Sequence, residues 1–224
     1  MIAVTDLVKH YDGGLVKALN GISFEVARGE VVAIMGPSGC GKSTLLNLVG
    51  ALDTPTSGEI LVDGRSLSTY RPLDRFRAKT VGFVFQFHHL IPSLSLLENA
   101  ELPMYPLGVS NKAMREKATE MLVRVGLEER MHFRPTKVSG GERQRAAIAR
   151  ALVNEPAIIL ADEPTGSVDT ETGAVILDYL VELCHSRGVT MLIATHNPGI
   201  AEGSDRVLRL KDGVLGSGIG PVGE

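Results

Sequence analysis

Two glycine-rich segments and three further polar sites carry the chemical potential of this 224-residue chain. The first segment is Gly36-Pro37-Ser38-Gly39-Cys40-Gly41-Lys42-Ser43-Thr44, set between an apolar run and the helix-like Leu45-Leu46-Asn47-Leu48. Glycines at these spacings free backbone N–H groups to close around phosphate oxygens. Lys42 would reach the terminal phosphates, and the Ser43 hydroxyl would bind magnesium. The strand–loop–helix context makes this arrangement far more specific than a structural glycine turn.

The polar sites complement that loop. Ile158-Ile159-Leu160-Ala161 leads directly into Asp162-Glu163. An acid at the end of a buried strand can hold magnesium, and the next carboxylate can orient and activate water. Two carboxylates there also fit an ordinary strand-end turn; the phosphate loop in the same chain favours the catalytic reading. Gln86 and His196 each follow an apolar run in the same way. A glutamine so placed can coordinate magnesium. A histidine can bridge the water, Glu163 and the terminal phosphate. Taken alone each is weak, because polar residues commonly end strands. His10, His88, His89, His132 and His185 fit no carboxylate or cysteine spacing for a metal and read as surface residues.

The second glycine-rich segment, Ser139-Gly140-Gly141-Glu142, admits two readings. Serine followed three residues later by glutamate is a capping box for the helix-like Arg143-Gln144-Arg145-Ala146-Ala147-Ile148-Ala149-Arg150. A cap alone does not require two glycines, which weaken a first turn. Glycines belong where something approaches the backbone closely, and a bare helix start is a second anion site. Two such sites far apart in one chain suggest two copies sharing nucleotide.

Four runs must position these groups: Val31–Met35, Val81–Phe85, Ala157–Ala161 and Val189–Ala194. None alternates apolar with polar, so both faces should be buried, as in a helix-covered parallel sheet. In such sheets ligands bind beyond the carboxyl ends of the strands. Residues 2–26 read as short strands with a turn at Asp12-Gly13-Gly14, and Ile60–Val62 as another, beside the parallel core. From Ser95 to Ala151 the chain reads as mostly helical. Ser110–Val125 is amphipathic, with Met114, Ala118, Met121, Leu122 and Val125 on one face. The tail from Lys211 holds five glycines and reads as a turn followed by a loose end. The fold class is therefore α/β: a phosphate-loop NTPase core with a parallel sheet, an N-terminal antiparallel β subdomain and an inserted helical subdomain. Residues 1–86 and 154–215 form the core, 87–153 the helical part with the Ser139 motif, and 216–224 the tail.

Composition adds limits. The net charge of −3 supports no nucleic-acid partner. Two cysteines, Cys40 and Cys184, form no disulfide framework and read as reduced thiols. Residues 1–6 lack the pattern of a signal peptide, and no apolar run has the length of a membrane span. A membrane role would need another polypeptide.

With these residues in place, the chain resembles the nucleotide-binding subunits of ATP-binding cassette (ABC) transporters from about Ile2 to Val214. Tyr11, the phosphate loop, Gln86, Ser139-Gly140-Gly141, Asp162-Glu163, Asp169 and His196 occur in the family order. The resemblance implies that Tyr11 stacks on adenine, and that the backbone from Gly36 to Gly41, with Lys42, Ser43 and Thr44, holds ATP. Ser43, Gln86 and Asp162 would hold Mg²⁺. Glu163 would be the general base and His196 the switch residue contacting phosphate. Ser139, Gly140 and Gly141 would close on ATP held by a second copy, with Asp169 in the loop joining the two sites. It further implies a homodimer, an integral membrane partner, and a peripheral position on the cytoplasmic face of the membrane.

Two departures are visible: Val138 stands where leucine is usual, and Ser167-Val168-Asp169 where Asn-Leu-Asp is. Neither removes a catalytic residue. Phe85-Gln86-Phe87-His88-His89-Leu90-Ile91-Pro92 and Leu97-Glu98-Asn99-Ala100-Glu101-Leu102-Pro103 are similar to the lipoprotein-releasing and macrolide-exporter branch, which works by mechanical transmission. The related cell-division ATPase is an alternative of similar length. Leu90-Ile91-Pro92 either seats a helix of the membrane partner or packs within the helical subdomain. Two other classes compete. A soluble ABC ATPase usually carries paired cassettes or a long coiled coil, for which this chain has no room. A kinase or a regulatory ATP-binding module would need an acceptor site and lid, or would not need Glu163 and His196.

Overall fold

The computed structural model describes residues 1–166, 168 and 170–216, with backbone alone at 170–172. Its centre is a six-stranded sheet. The strands β3 (Val31–Met35), β6 (Val81–Phe85), β7 (Ile158–Asp162), β8 (Thr190–Thr195) and β9 (Arg206–Lys211) run parallel, and β10 (Val214–Leu215) pairs antiparallel with β9. The order across the sheet is β10-β9-β3-β8-β7-β6. The four apolar runs of the sequence are thus neighbours.

Burial explains why they do not alternate. Val32 and Ile34 of β3 point into one core, with Ile158, Leu160, Leu192 and Ala194; Val31 and Ala33 point into the other, with Ile159, Ala161, Met191 and Ile193. Successive strand residues face opposite sides, so a sheet covered on both faces needs apolar residues at every position. Each fully buried Ile, Leu or Val here contributes about 1.5–3 kcal/mol relative to an exposed one.

One face is covered by α1 (Lys42–Val49) and, beyond it, an antiparallel sheet. That sheet has the order β2-β1-β4-β5, built from β1 (Ile2–Tyr11), β2 (Val16–Val26), β4 (Ser57–Val62) and β5 (Arg65–Ser66). The first two strands are long rather than short. Bulges between Val4 and Leu7 and between Lys9 and His10 break their register without ending the pairing. Ile2, Val4, Leu7, Ile22 and Phe24 pack with Leu45, Leu46 and Leu48 of α1. The helix carrying the phosphate loop is therefore clamped between two sheets.

The opposite face carries α3 (Leu96–Glu101), α4 (Asn111–Arg124), α5 (Gly140–Leu152), α6 (Thr170–Arg187) and α7 (Pro198–Glu202). Met114, Ala118, Met121 and Leu122 bury the inner face of α4 as their spacing predicts, while Val125 is only partly buried. The helix α2 (Leu73–Thr80), unread in the sequence, leads into β6. Gly82 lets α5 approach β6: a Cβ there would lie 2.5 Å from the Ala151 carbonyl oxygen. Arg150 of α5 donates to the carbonyls of His89 (2.5 Å) and His88 (2.6 Å), just past β6. Both histidines have left-handed backbones, φ 47° and 63°, so this guanidinium secures a strained segment. Burial lowers the Arg150 pKa to about 10. The expectation that His88 is a surface residue is corrected: it is 7% exposed, and burial, then the Arg143 charge, lowers its pKa.

Candidate active site

The end of β3 opens into the phosphate loop. Gly39 and Gly41 have φ of 79° and 108°, and Gly41 begins α1 with no side-chain cap. The first N–H groups of α1 therefore face outward with the positive end of the helix dipole. Lys42 is only 8% exposed, and its ammonium folds onto the carbonyls of Gly36 (2.7 Å) and Pro37 (3.0 Å). Cys40 is buried beneath the loop; its N–H donates to the Pro37 carbonyl, and a Cβ on Gly36 would strike its sulfur. Ser38 and Gly39 are exposed at the tip, and Thr44 lies in the first turn of α1.

Gly41 is the sterically critical position. A Cβ there would stand 2.4 Å from the Ala18 carbonyl oxygen and 2.9 Å from Leu19 Cδ2, in a backbone conformation that disfavours side chains. Gly41→Ala is expected to cost about 1–3 kcal/mol of stability and to weaken ATP binding by displacing the loop. Urea denaturation beside ATP titration checks this. Wild-type values in both would mean the loop relaxes freely.

The other polar groups meet at the same edge of the sheet. Phe85 pairs with Asp162, and Asp162 with Ala194, so Gln86, Glu163 and His196 lie just beyond three adjacent strand ends. The Glu163 N–H donates to the Ala194 carbonyl at 2.9 Å. Glu163 itself has φ 45°, a strained turn directly after the strand. His196 Nδ1 lies 2.8 Å from Glu163 Oε1, with the histidine side chain 72% exposed and the glutamate 15%. A carboxylate only accepts, so the proton of this bond sits on Nδ1. Gln86 packs on the turn after Glu163: a Cβ on Gly166 would lie 3.0 Å from Gln86 Nε2.

The donor set for a hard cation can be tested on its chemistry. The Ser43 hydroxyl, Gln86 amide and Asp162 carboxylate all offer oxygen. Among the described residues none of these side chains is engaged in a hydrogen bond or ion pair. Three unengaged oxygen donors beside the phosphate loop fit Mg²⁺.

Ser139 stands apart. Its hydroxyl accepts from the Glu142 N–H at 3.2 Å, and Glu142 Oε2 accepts from the Ser139 N–H at 2.7 Å. The capping box is present, and the Ser139 N–H is the main reason Glu142 titrates below the usual carboxylate range. Arg130 Nε sits 3.2 Å from Glu142 Oε1 and offsets its charge. Among the described residues, no hydrogen bond or ion pair links Ser139, Gly140 or Gly141 to the phosphate loop, Gln86, Glu163 or His196. Asp169 lies outside the described residues.

Three contributors escaped sequence reasoning. Gln144 is fully buried on α5 and donates to the Pro164 carbonyl at 2.6 Å, tying that helix to the turn after Glu163. A glutamine on the inward face of an otherwise apolar helix was the available signal. Arg150 left none beyond its burial-facing position. Asp53 accepts from the Tyr11 hydroxyl at 2.9 Å across two elements, which no spacing could show.

The sequence model described as ABC transporter matches residues 19–166. An uncharacterized ABC transporter ATP-binding protein of Thermotoga maritima is 48% identical, covering 95% of this chain and 92% of that protein. The lipoprotein-releasing system ATP-binding protein LolD of Syntrophus aciditrophicus is 45% identical, covering 96% and 98%. Among solved structures, the ATP-binding cassette MJ0796, in a dimeric post-hydrolysis state bound to ADP and Pi, is 39% identical with a TM-score of 0.91, covering all of both chains. This chain belongs to the ABC transporter family, as one of its ATP-binding subunits.

Proposed function

We propose that this chain is a Mg²⁺-dependent ATPase that works as a head-to-tail homodimer around two ATP molecules and drives a separate membrane subunit. The carrying observation is the separation of Ser139-Gly140-Gly141 from the phosphate loop and Glu163 within one chain. Each chain then holds half of each site, and the other half comes from a second copy. The dimer of the similar cassette MJ0796 bound to ADP and Pi supports this reading. In this division of labour residues 1–86 and 154–215 are the nucleotide-binding core, and 87–153 the arm presenting Ser139.

The chemistry follows from the strand ends. Tyr11 stacks on the base. The N–H groups of the loop and α1 bind the phosphates, with Lys42 redirected from the Gly36 and Pro37 carbonyls to the terminal phosphates and Thr44 beside them. Ser43, Gln86 and Asp162 would hold Mg²⁺, which supplies charge neutralisation as the terminal phosphoryl group leaves. Glu163 accepts the proton of the attacking water. His196 holds one oxygen of Glu163 and thereby turns the other toward that water. Ser139, Gly140 and Gly141 of the second copy close over the γ-phosphate, and Asp169 joins the two sites.

Among the described residues no helix is long and apolar enough to cross a membrane. Attachment therefore runs through the partner, on the cytoplasmic face. A cavity of about 310 Å³ between the core and the helical arm is lined by Phe83, Phe85, Pro103 and Pro106 and offers a seat for a partner helix. The neighbouring Leu90-Ile91-Pro92 stretch divides: Leu90 packs against the helical core, whereas Ile91 is exposed. The similarity to LolD favours lipoprotein release, or the related macrolide and peptide export, as the driven process.

Phosphate release with no added acceptor tests the hydrolase reading. Specific activity should rise with protein concentration as dimers form. Chelating Mg²⁺ should lower turnover at least roughly 100-fold, with recovery on adding it back. Activity independent of both concentration and metal would overturn the proposal.

A further inference from the structure

Tyr11 closes β1, and its ring is held by groups from two other places. Its hydroxyl donates to Asp53 Oδ2 at 2.9 Å, and the Thr44 side chain lies against the Tyr11 hydroxyl. The Lys9 ammonium stands 4.7 Å from the ring centroid, over one face. That ammonium also donates to Asp53 Oδ1 (2.8 Å) and to the Thr54 carbonyl (2.8 Å). The Thr54 N–H closes on Asp53 Oδ1 at 2.7 Å. Asp53 follows α1, and its own N–H and that of Leu52 are tied back to the Asn47 carbonyl of that helix. One carboxylate thus fastens the end of β1 to the helix that begins at the phosphate loop.

A stacking ring has two usable faces and rotates about two side-chain bonds. Here Lys9 occupies one face, and the Asp53 bond stops the rotation. A platform fixed before binding loses less entropy when the base arrives. We propose that Asp53 is a positioning residue for ATP: it fixes the Tyr11 ring through its hydroxyl, and holds Lys9 over one face so that the base stacks on the other. The inference rests on Tyr11 being the base platform. The acidities agree with the bonding. Burial and the Asp53 contact raise the Tyr11 pKa, keeping the phenol a donor. Burial opposes ionisation of Asp53, but Lys9, the Thr54 N–H and Tyr11 outweigh it and hold its pKa below the ordinary value.

Calorimetric titration of the full chain with ATP and with inorganic triphosphate, both with Mg²⁺, separates base from phosphate binding. Asp53→Ala should weaken ATP roughly 5- to 10-fold, the scale of one ordinary net hydrogen bond, and leave triphosphate unchanged. Tyr11→Phe keeps the ring and loses the hydroxyl; it should weaken ATP by a similar factor. The double variant should be no weaker than Asp53→Ala alone, because that substitution already removes the contact that Tyr11→Phe removes. Equal weakening of triphosphate and ATP in Asp53→Ala would assign the residue to holding α1 and overturn the inference. Unchanged ATP affinity in Asp53→Ala, beside a loss in Tyr11→Ala, would overturn it alone. Unchanged affinity in Tyr11→Ala would remove the platform reading itself.

Discussion

Glu163→Gln is expected to lower ATP turnover by about 10²–10⁴-fold, the usual contribution of a general base, while ATP stays bound. The substitution keeps the side chain's length and an oxygen able to accept from His196 Nδ1, now 2.8 Å from Glu163 Oε1. It also leaves the backbone bond to Ala194 intact, which holds the strained turn. What it removes is the carboxylate proposed to take the proton of water. With hydrolysis stopped and both phosphate-binding halves unchanged, ATP and Mg²⁺ should trap a dimer on size exclusion. Wild-type turnover in this variant would show that Glu163 is not the base. Lost turnover without a dimer would separate the base from the sharing of sites.

The second large effect is expected at Ser139. Ser139→Arg removes the N-cap of α5, which costs about 1 kcal/mol and leaves the fold standing. On the proposed shared site, it also places a bulky side chain where a phosphate of the second copy approaches. ATP turnover should fall to background while ATP affinity of the single chain remains, because the phosphate loop and Tyr11 are untouched. The decisive measurement is complementation. In a heterodimer of Ser139→Arg with Lys42→Ala, one shared site carries both lesions and the other carries neither. Mixing two inactive variants should therefore restore turnover. A fully active Ser139→Arg protein that dimerises normally would refute the shared site.

How far the sequence reached depended on the kind of signal. The four core runs were legible because burial on both faces forces continuous apolar character, and Val31–Met35 and Val81–Phe85 match their strands residue for residue. The amphipathic spacing of Met114, Ala118, Met121 and Leu122 was legible for the same reason in a helix. Long strands with bulges were not: β1 and β2 carry His10 and Asn20 within the pairing and Asp6 in a bulge, so polar residues interrupt the apolar pattern without ending the strands. The helix α2 was hidden by its charged residues, Asp74, Arg75, Arg77 and Lys79, which leave few apolar positions to show a period. His88 read as a surface residue because nothing local marks it; Arg143 and Arg150 face it from a helix far along the chain.

The sequence by itself determined which groups are candidates for the chemistry. A phosphate loop, a strand-end Asp162-Glu163 pair, Gln86, His196 and a capped Ser139-Gly140-Gly141 are local patterns, set by residue type and short spacing. Only the tertiary structure decided which of these groups meet. Parallel pairing of β6, β7 and β8 brings Gln86, Glu163 and His196 to one edge, and the hydrogen bond from His196 to Glu163 follows from that register. Among the described residues the same packing leaves Ser139 with no hydrogen bond or ion pair to that site. It also joins Tyr11 to Asp53, and Arg150 to the His88 and His89 carbonyls. The physical reason is range. Capping and strand burial act over a few residues and leave a periodic trace, whereas a hydrogen bond between distant segments depends on how whole elements stack.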